Sequence, residues 1–560
     1  MKLPILILMI GCIGFVLVGG CSDTVSPPPP VPTTVEQTAT PTLQVTTPVI
    51  QSTTTAAGPD TFCGEVVYCG LAPSGIETKP VKSSRCNQLY TLYLNNDKRV
   101  MDCLENPGGP EGNDTAEKSR CMQGSGTVEN CPDYEIIMDW DKGLAGSGNA
   151  LSGRDGSIQQ TNDGGYIVIG SINGEVSPGH GSEDMWVTKL NPAGDIQWQN
   201  VLGGNGFESG RSIQATTDGG YIAVGFTTSD ASGDVGISHG GHDVWVVKLN
   251  SAGGIQWQKV LGGNGDDSGF SVQQATDGGY IFTGITNSDN SGDVGISHGG
   301  YDAWVVKLQT NGNVQWQRTL GGKGNDGGFS MQASPDGEYI LTGITDSDNT
   351  GDVGISHGGY DAWVVRLNPI GNIQWQKVLG GKGDDSGFSI HQASDSGYIL
   401  TGFTDSDNTG DVGINHGGYD AWAVKLNSAG GIQWQKVLGG NGDDSGFSIY
   451  QATDGGYILT GITGSDNTGD VGINHGGYDA WVVKLLTNGN IQWQRVMGGD
   501  DFESGRSIQA TPNGEYIFAG ITGSDNTGDV GSNNSVLGTW IIRLNPIGDI
   551  LWQRVLEEGA

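Results

Sequence analysis

Cations are scarce in this chain. Lys and Arg number 27 against 62 Asp and Glu, a formal charge of −35. A chain this acidic repels phosphate backbones, which argues against a nucleic-acid partner and favours cations and basic surfaces. Helical periodicity is missing too: no segment repeats apolar residues at helical spacing over three turns. That leaves strands and turns for a chain in which 98 of 560 residues are glycine. The glycines have no G-X-Y period, so collagen is excluded. Beyond the first twenty residues no apolar run is long enough to span a bilayer. No cysteine follows Cys131. The chain has no G-x-S-x-G, no H-E-x-x-H and no P-loop, so these hydrolase, metalloprotease and NTPase signatures are absent.

What is present starts with Lys2 and the apolar run "LPILILMIGCIGFVLV", followed by Gly19-Gly20-Cys21. A charged start, a short apolar core and small residues before a cut make residues 1–20 a secretory signal. Val18-Gly19-Gly20-Cys21 resembles a prokaryotic lipobox. The resemblance implies cleavage before Cys21, a lipid on its thiol and anchorage to the membrane at the cell surface. An uncleaved anchor is the alternative, and both put the remaining chain outside the membrane. Residues 21–60 are rich in Pro and Thr, with Pro27 to Pro30 in a row, and cannot bury a core. As an extended tether they would reach roughly 100 Å.

Cys63, Cys69, Cys86, Cys103, Cys121 and Cys131 follow within 69 residues. An even set in one short stretch of an exported chain reads as a small disulfide-rich domain over residues 61–134. Fifteen pairings are open. Zinc is the competing reading, but the segment holds no C-x-x-C pair and no His.

Trp198, Trp257, Trp316, Trp375, Trp434, Trp493 and Trp552 stand 59 residues apart, and so do Trp186, Trp245, Trp304, Trp363, Trp422, Trp481 and Trp540. Such register defines a repeat architecture. Within one unit, "FSVQQA", "YIFTG", "AWVVKL" and "VQWQR" are period-two runs separated by turn residues, and they predict four antiparallel strands, A to D. "AWVVKL" puts Trp304, Val306 and Leu308 on one face. Four strands per unit is the grammar of a β-propeller blade, and a β-solenoid is the rival. The expectation is an all-β chain whose residues 135–556 form a seven-bladed β-propeller of 59-residue blades. An eighth copy of the D strand around Trp140, near residues 135–141, would help close the ring beside the last blade or in place of its outer strand. The tryptophans pack blade on blade.

"DGGYI", "AWVVKL" and "GGIQWQKVLGG" resemble prokaryotic exported β-propeller repeat proteins, including SBBP-type repeats. "WVVKLNSAGGIQWQK" is also similar in cadence to quinoprotein-like propellers. The resemblance covers about residues 136–556 and implies fold rather than activity.

The phrase "SDNTGDVGINHGGYDAW" occurs twice, from Ser406 and from Ser465. It is the long B–C loop plus the start of strand C. In a four-stranded blade the B–C and D–A loops share one face, so most of the acidity falls there. "DSDNTGD" from Asp346 and from Asp405 is similar to the start of a calcium loop, with Asp346, Asp348, Asp352, Asp405, Asp407 and Asp411 as candidate ligands. His357 or His416 stands where such a loop needs a bidentate Glu. Only the third and seventh aspartates recur from blade two on. Turn chemistry is the competing reading of the same residues. His298/Asp302, His357/Asp361, His416/Asp420 and His475/Asp479 would fasten the loop to strand C, since an active site has no need of repeated copies.

These observations lead to a surface-anchored, non-enzymatic binding or adhesion module, with calcium as the one candidate cofactor. It would engage an extracellular polymer, glycan or protein through an acidic ring of loops. A structural envelope component and a quinoprotein-like enzyme are the alternatives.

Overall fold

The computed structural model describes residues 156–173, 181–533 and 537–556. The signal segment with Cys21, the tether, residues 61–134 with their six cysteines, and the extra strand expected near 135–141 lie outside the described residues.

Among the described residues there are 28 strands and no helix. They form seven four-stranded antiparallel sheets, each from four consecutive strands. The sheets span 157–202, 208–261, 267–320, 326–379, 389–438, 444–497 and 503–556. Blade 3 shows the pattern: A is Asp267–Gln274, B is Tyr280–Thr286, C is Asp302–Leu308 and D is Val314–Leu320. Aromatic and β-branched residues fill B and C. The A–B turn is Asp-Gly-Gly, and its first glycine, Gly278, stands at φ 84°, which glycine adopts at no steric cost.

Strand A lines the axis. Its backbone N–H groups reach the preceding blade's strand A: Val272 donates to Ser212 Oγ (3.3 Å) and Ile508 to Ser448 Oγ (3.1 Å). Ile158 donates to Ser507 Oγ (3.3 Å), which joins the seventh blade to the first. Blades one and seven each have four strands of their own, so among the described residues no strand is exchanged between the ends of the ring.

Every residue of strands B and C in blade 3 is buried. The sequence pattern placed only Trp304, Val306 and Leu308 on a buried face. The intervening residues are buried as well because a neighbouring blade covers each side of the sheet. There are accordingly seven hydrophobic cores, each between two blades. The closing core joins Ile158, Tyr166 and Val168 to Ile517, Ala519 and Ile541. Each D-strand tryptophan meets the strand-B tyrosine of the next blade, as Trp316 with Tyr339 and, at the closure, Trp552 with Tyr166 (centroids 6.0 Å in both). Such pairs contribute about 0.5–1.5 kcal/mol beyond area burial. The C-strand tryptophans of blades 2 to 7 are fully buried, and Trp304 Nε1 donates to Gln317 Oε1 on strand D (3.2 Å).

Candidate binding face

In blades 2 to 7 the B–C loop lies on the D–A loop that leads into the same blade from the one before. At the junction of blades 3 and 4, Asp352 N–H donates to Gly321 O (2.8 Å). In return Lys323 N–H donates to Thr350 Oγ1 (3.0 Å) and Gly324 N–H to Ser347 Oγ (2.8 Å), and Asn325 N–H donates to the Asp346 carboxylate. A Cβ on Gly351 would stand 2.1 Å from Gly321 O, so this close approach admits only glycine. Asn349 takes φ 47°, a left-handed conformation that Asn tolerates.

This geometry gives four of the six candidate carboxylates an N–H donor, and ties the other two residues down by their backbone. Asp346 caps Asn325 N–H and Asp405 caps Asp384 N–H (2.5 Å). Asp348 accepts Ser356 N–H (3.1 Å) and Asp407 accepts Asn415 N–H (3.2 Å), both within their own loops. Asp352 and Asp411 use their own N–H on Gly321 O and Gly380 O (2.8 Å each). Among the described residues no group of three or more His, Cys, Asp and Glu side chains is arranged to hold a metal.

The His–Asp pairs fasten the loop to strand C mainly through the histidine backbone. His298 N–H donates to Asp302 Oδ2 (2.7 Å) and His357 N–H to Asp361 Oδ2 (2.8 Å). His416 and His475 do the same to Asp420 and Asp479 (2.6 Å each). The rings stand further off, with Nδ1 between 3.3 and 3.6 Å from the carboxylates.

Three features were not foreseen in the sequence. First, each of five B–C loops exposes one isoleucine: Ile237, Ile296, Ile355, Ile414 and Ile473 are 69–73% exposed. The "DVGIS" and "DVGIN" strings carried that signal, an apolar residue repeated inside a polar loop. Thr319 Oγ1 on strand D donates to Ile296 O (2.7 Å), so the isoleucine sits over the outermost strand, at the rim. Second, strand A bulges at one residue, where the register with strand B shifts between Gly328 and Ser330 in blade 4. That place holds Phe270, Phe329, Phe388 and Phe447 in blades 3 to 6, and Arg211 and Arg506 in blades 2 and 7. Successive phenylalanine rings touch at 5.5–5.8 Å, and the two guanidinium groups lie over the end rings at 5.4 and 4.6 Å. The inner collar is thus aromatic on one side and cationic on the other. Third, carboxylates from adjoining blades meet in the junctions.

No protein-family model matches the chain. The regulatory protein FlaEY of Caulobacter vibrioides is 24% identical over 459 residues, which covers 73% of this chain and 46% of that protein. The chain thus spans less than half the length of that relative. Among solved structures, Sqt1 from Chaetomium thermophilum matches 70% of this chain and 81% of its own, at 10% identity and a TM-score of 0.37. BamB from Moraxella catarrhalis matches 65% and 92%, at 15% identity and a TM-score of 0.31. At these values the likenesses carry no argument, and the count of seven blades rests on the molecule's own strands.

Proposed function

We propose that the chain is a surface-anchored binding module that holds a repetitive extracellular partner against the rim of its B–C loop face. The observation that supports it is the set of five equivalent, exposed isoleucines on acidic loops. An isolated exposed isoleucine needs no explanation, but five in the same loop position form a regular pattern of apolar contacts. A partner with apolar groups and positive charge at regular intervals, such as a basic polymer or a repeat protein, fits that chemistry. Five weak contacts on one partner give avidity without any strong single site. That the Caulobacter relative is a regulatory protein accords with a part that acts by binding. The lipid on Cys21, the stalk and the disulfide-stapled segment would hold the ring away from the membrane. Calcium on these loops would compete with the N–H donors that the Asp346, Asp348, Asp405 and Asp407 carboxylates already accept.

The test is a panel of cell-surface polymers, glycans and repeat proteins, read for the native chain and for a variant with all five isoleucines changed to serine. Binding by the native chain that falls at least tenfold in the variant, with melting temperature unchanged, is the expected result. No binding above an unrelated acidic control would end the proposal.

A further inference from the structure

Six of the seven blade junctions bury two carboxyl groups against each other. Asp420 opens strand C of blade 5 and Asp444 opens strand A of blade 6, and neither has any exposed surface. Asp420 Oδ1 and Asp444 Oδ2 lie 1.9 and 2.7 Å from one point, the place a Cβ on Gly439 would take. Asp243 Oδ1 and Asp267 Oδ2 stand 2.1 and 2.7 Å from the corresponding point on Gly262. Asp184/Glu208, Asp302/Asp326, Asp361/Asp385 and Asp479/Glu503 repeat the arrangement around Gly203, Gly321, Gly380 and Gly498. At the seventh junction Gly538 takes the strand-C place.

On both carboxyls of a pair the donors gather on Oδ2. Asp444 Oδ2 accepts from Gly440 N–H and Ser465 Oγ (2.8 Å each), and Asp267 Oδ2 from Gly263 N–H (2.7 Å) and Ser288 Oγ (2.9 Å). On the opposite carboxyl only Oδ2 is served: Asp420 Oδ2 accepts His416 N–H, and Asp243 Oδ2 accepts His239 N–H (2.8 Å) and Ser238 Oγ (2.7 Å). Asp420 Oδ1 and Asp243 Oδ1 are buried without a hydrogen-bond partner. A carboxylate oxygen left so is costly, and a second carboxylate beside it adds repulsion. A calcium or magnesium ion would need six or more oxygens, while the strand-A carboxylate already spends its Oδ2 on two donors. A proton on the strand-C oxygen needs only the facing acceptor.

We infer that each of these junctions holds one proton shared between its two carboxyl groups, so that the ring is a pH-sensitive assembly whose blades repel one another once the protons leave. The charged and titratable groups facing the pairs are few. His416 (Nδ1 3.5 Å from Asp420) and Asp470 of the next B–C loop, itself near Lys436, face Asp420/Asp444. His239 and Asp293 (3.8 Å apart) and His242, near Asp266 and Arg211, face Asp243/Asp267. Burial first, and then the charge of its partner, push the Asp444 and Asp267 carboxyls up to about 6, and burial raises Asp420 too. A carboxyl that holds its proton more tightly folded than unfolded stabilises the fold fully below its unfolded value, about 4. That contribution is lost as pH rises through about 6.

The experiment follows the melting temperature of the full chain from pH 5 to pH 8, with chelator, in about 0.5 M salt to screen surface repulsion. The native chain should melt lower as pH rises. The D243N/D420N variant, which silences two junctions of six, should show a slope roughly a third shallower, with its relative gain at pH 8. An infrared carbonyl band from protonated carboxyl groups should be present in the native chain at about pH 5 and fade as pH rises through about 6, and it needs no variant to fold. A flat or rising native profile, an equal slope in the variant, or no such band overturns the shared proton. A calcium-dependent rise at pH 8 that the variant abolishes would overturn it in favour of a metal.

Discussion

Ser396 stands where the other six A–B turns have glycine, at φ 65° against 79–85° for those glycines. A left-handed backbone costs an ordinary L-residue about 1–2 kcal/mol, part of which glycine gives back through its freer unfolded chain. Ser396→Gly should therefore stabilise the ring by about 1 kcal/mol. Ala231 is the same case in the B–C loops: it holds φ 46° where five other loops place Asn at 45–53°. Ala231→Asn should add about 0.5–1 kcal/mol, because the Asn side chain tolerates this region. Both are read from the urea midpoint at unchanged slope. Midpoints that do not move would remove left-handed strain as the reason these loops favour Gly and Asn.

At the level of the strand, a lysine from C crosses to the A–B turn. Lys307 Nζ lies 2.8 Å from Asp277 Oδ1, and Lys248, Lys425 and Lys484 repeat the bond to Asp218, Asp395 and Asp454. In blades 4 and 7 the pair becomes Arg366 with Glu338 and Arg543 with Glu515, the Glu replacing the turn's second glycine. The reason is space: a Cβ on Gly279 would stand 2.5 Å from Lys307 Nζ and 2.3 Å from Leu308 O. Gly279→Glu alone and Lys307→Arg alone should each destabilise by about 1–3 kcal/mol. Together they rebuild the blade 4 pair, and the double-mutant cycle should show a favourable coupling of about 1 kcal/mol. A coupling near zero would make the two exchanges independent. The four strands and their turns were legible because Trp, Tyr and Asp-Gly-Gly recur in fixed register with period-two runs between them. The carboxyl pairs were not. Asp420 and Asp444 belong to different blades, and nothing within one repeat tells which strand of the next lies against it. The exposed isoleucines escaped for the opposite reason: an apolar letter reads as buried until its loop is seen lying on the rim.

Across the whole molecule, closure is a junction like the others. Trp552 packs on Tyr166 as Trp316 packs on Tyr339, and Arg554 adds a surface pair to Asp195 (2.7 Å). If the ring has no seam, Trp552→Ala and Trp316→Ala should each cost about 3 kcal/mol and leave one cooperative transition. A much smaller loss at Trp552, or a split transition, would expose a weak closure. The ring also carries two sets of carboxyl groups that respond to pH with opposite sign. Partial burial raises Asp218, but Thr216, Gly220 N–H and Lys248 outweigh it and hold the carboxyl at about 2; Asp163 is held at about 2 likewise. Their contribution is present above the unfolded value near 4 and is lost as pH falls through 2. The junction carboxyls at about 6 contribute below 4 and lose as pH rises through 6. The lysine-paired aspartates thus weaken the ring on the acid side and the junction pairs weaken it on the neutral side. The melting temperature should peak between about pH 4 and pH 5, below the range where globular domains are usually most stable. Silencing the junctions with D243N/D420N should move that peak upward in pH, while Lys307→Met and Lys484→Met should lower the melting temperature near pH 5 and leave the fall toward pH 8 unchanged. A peak near pH 7 in the native chain would mean that the junction pairs are ionised together and are held by something other than a proton.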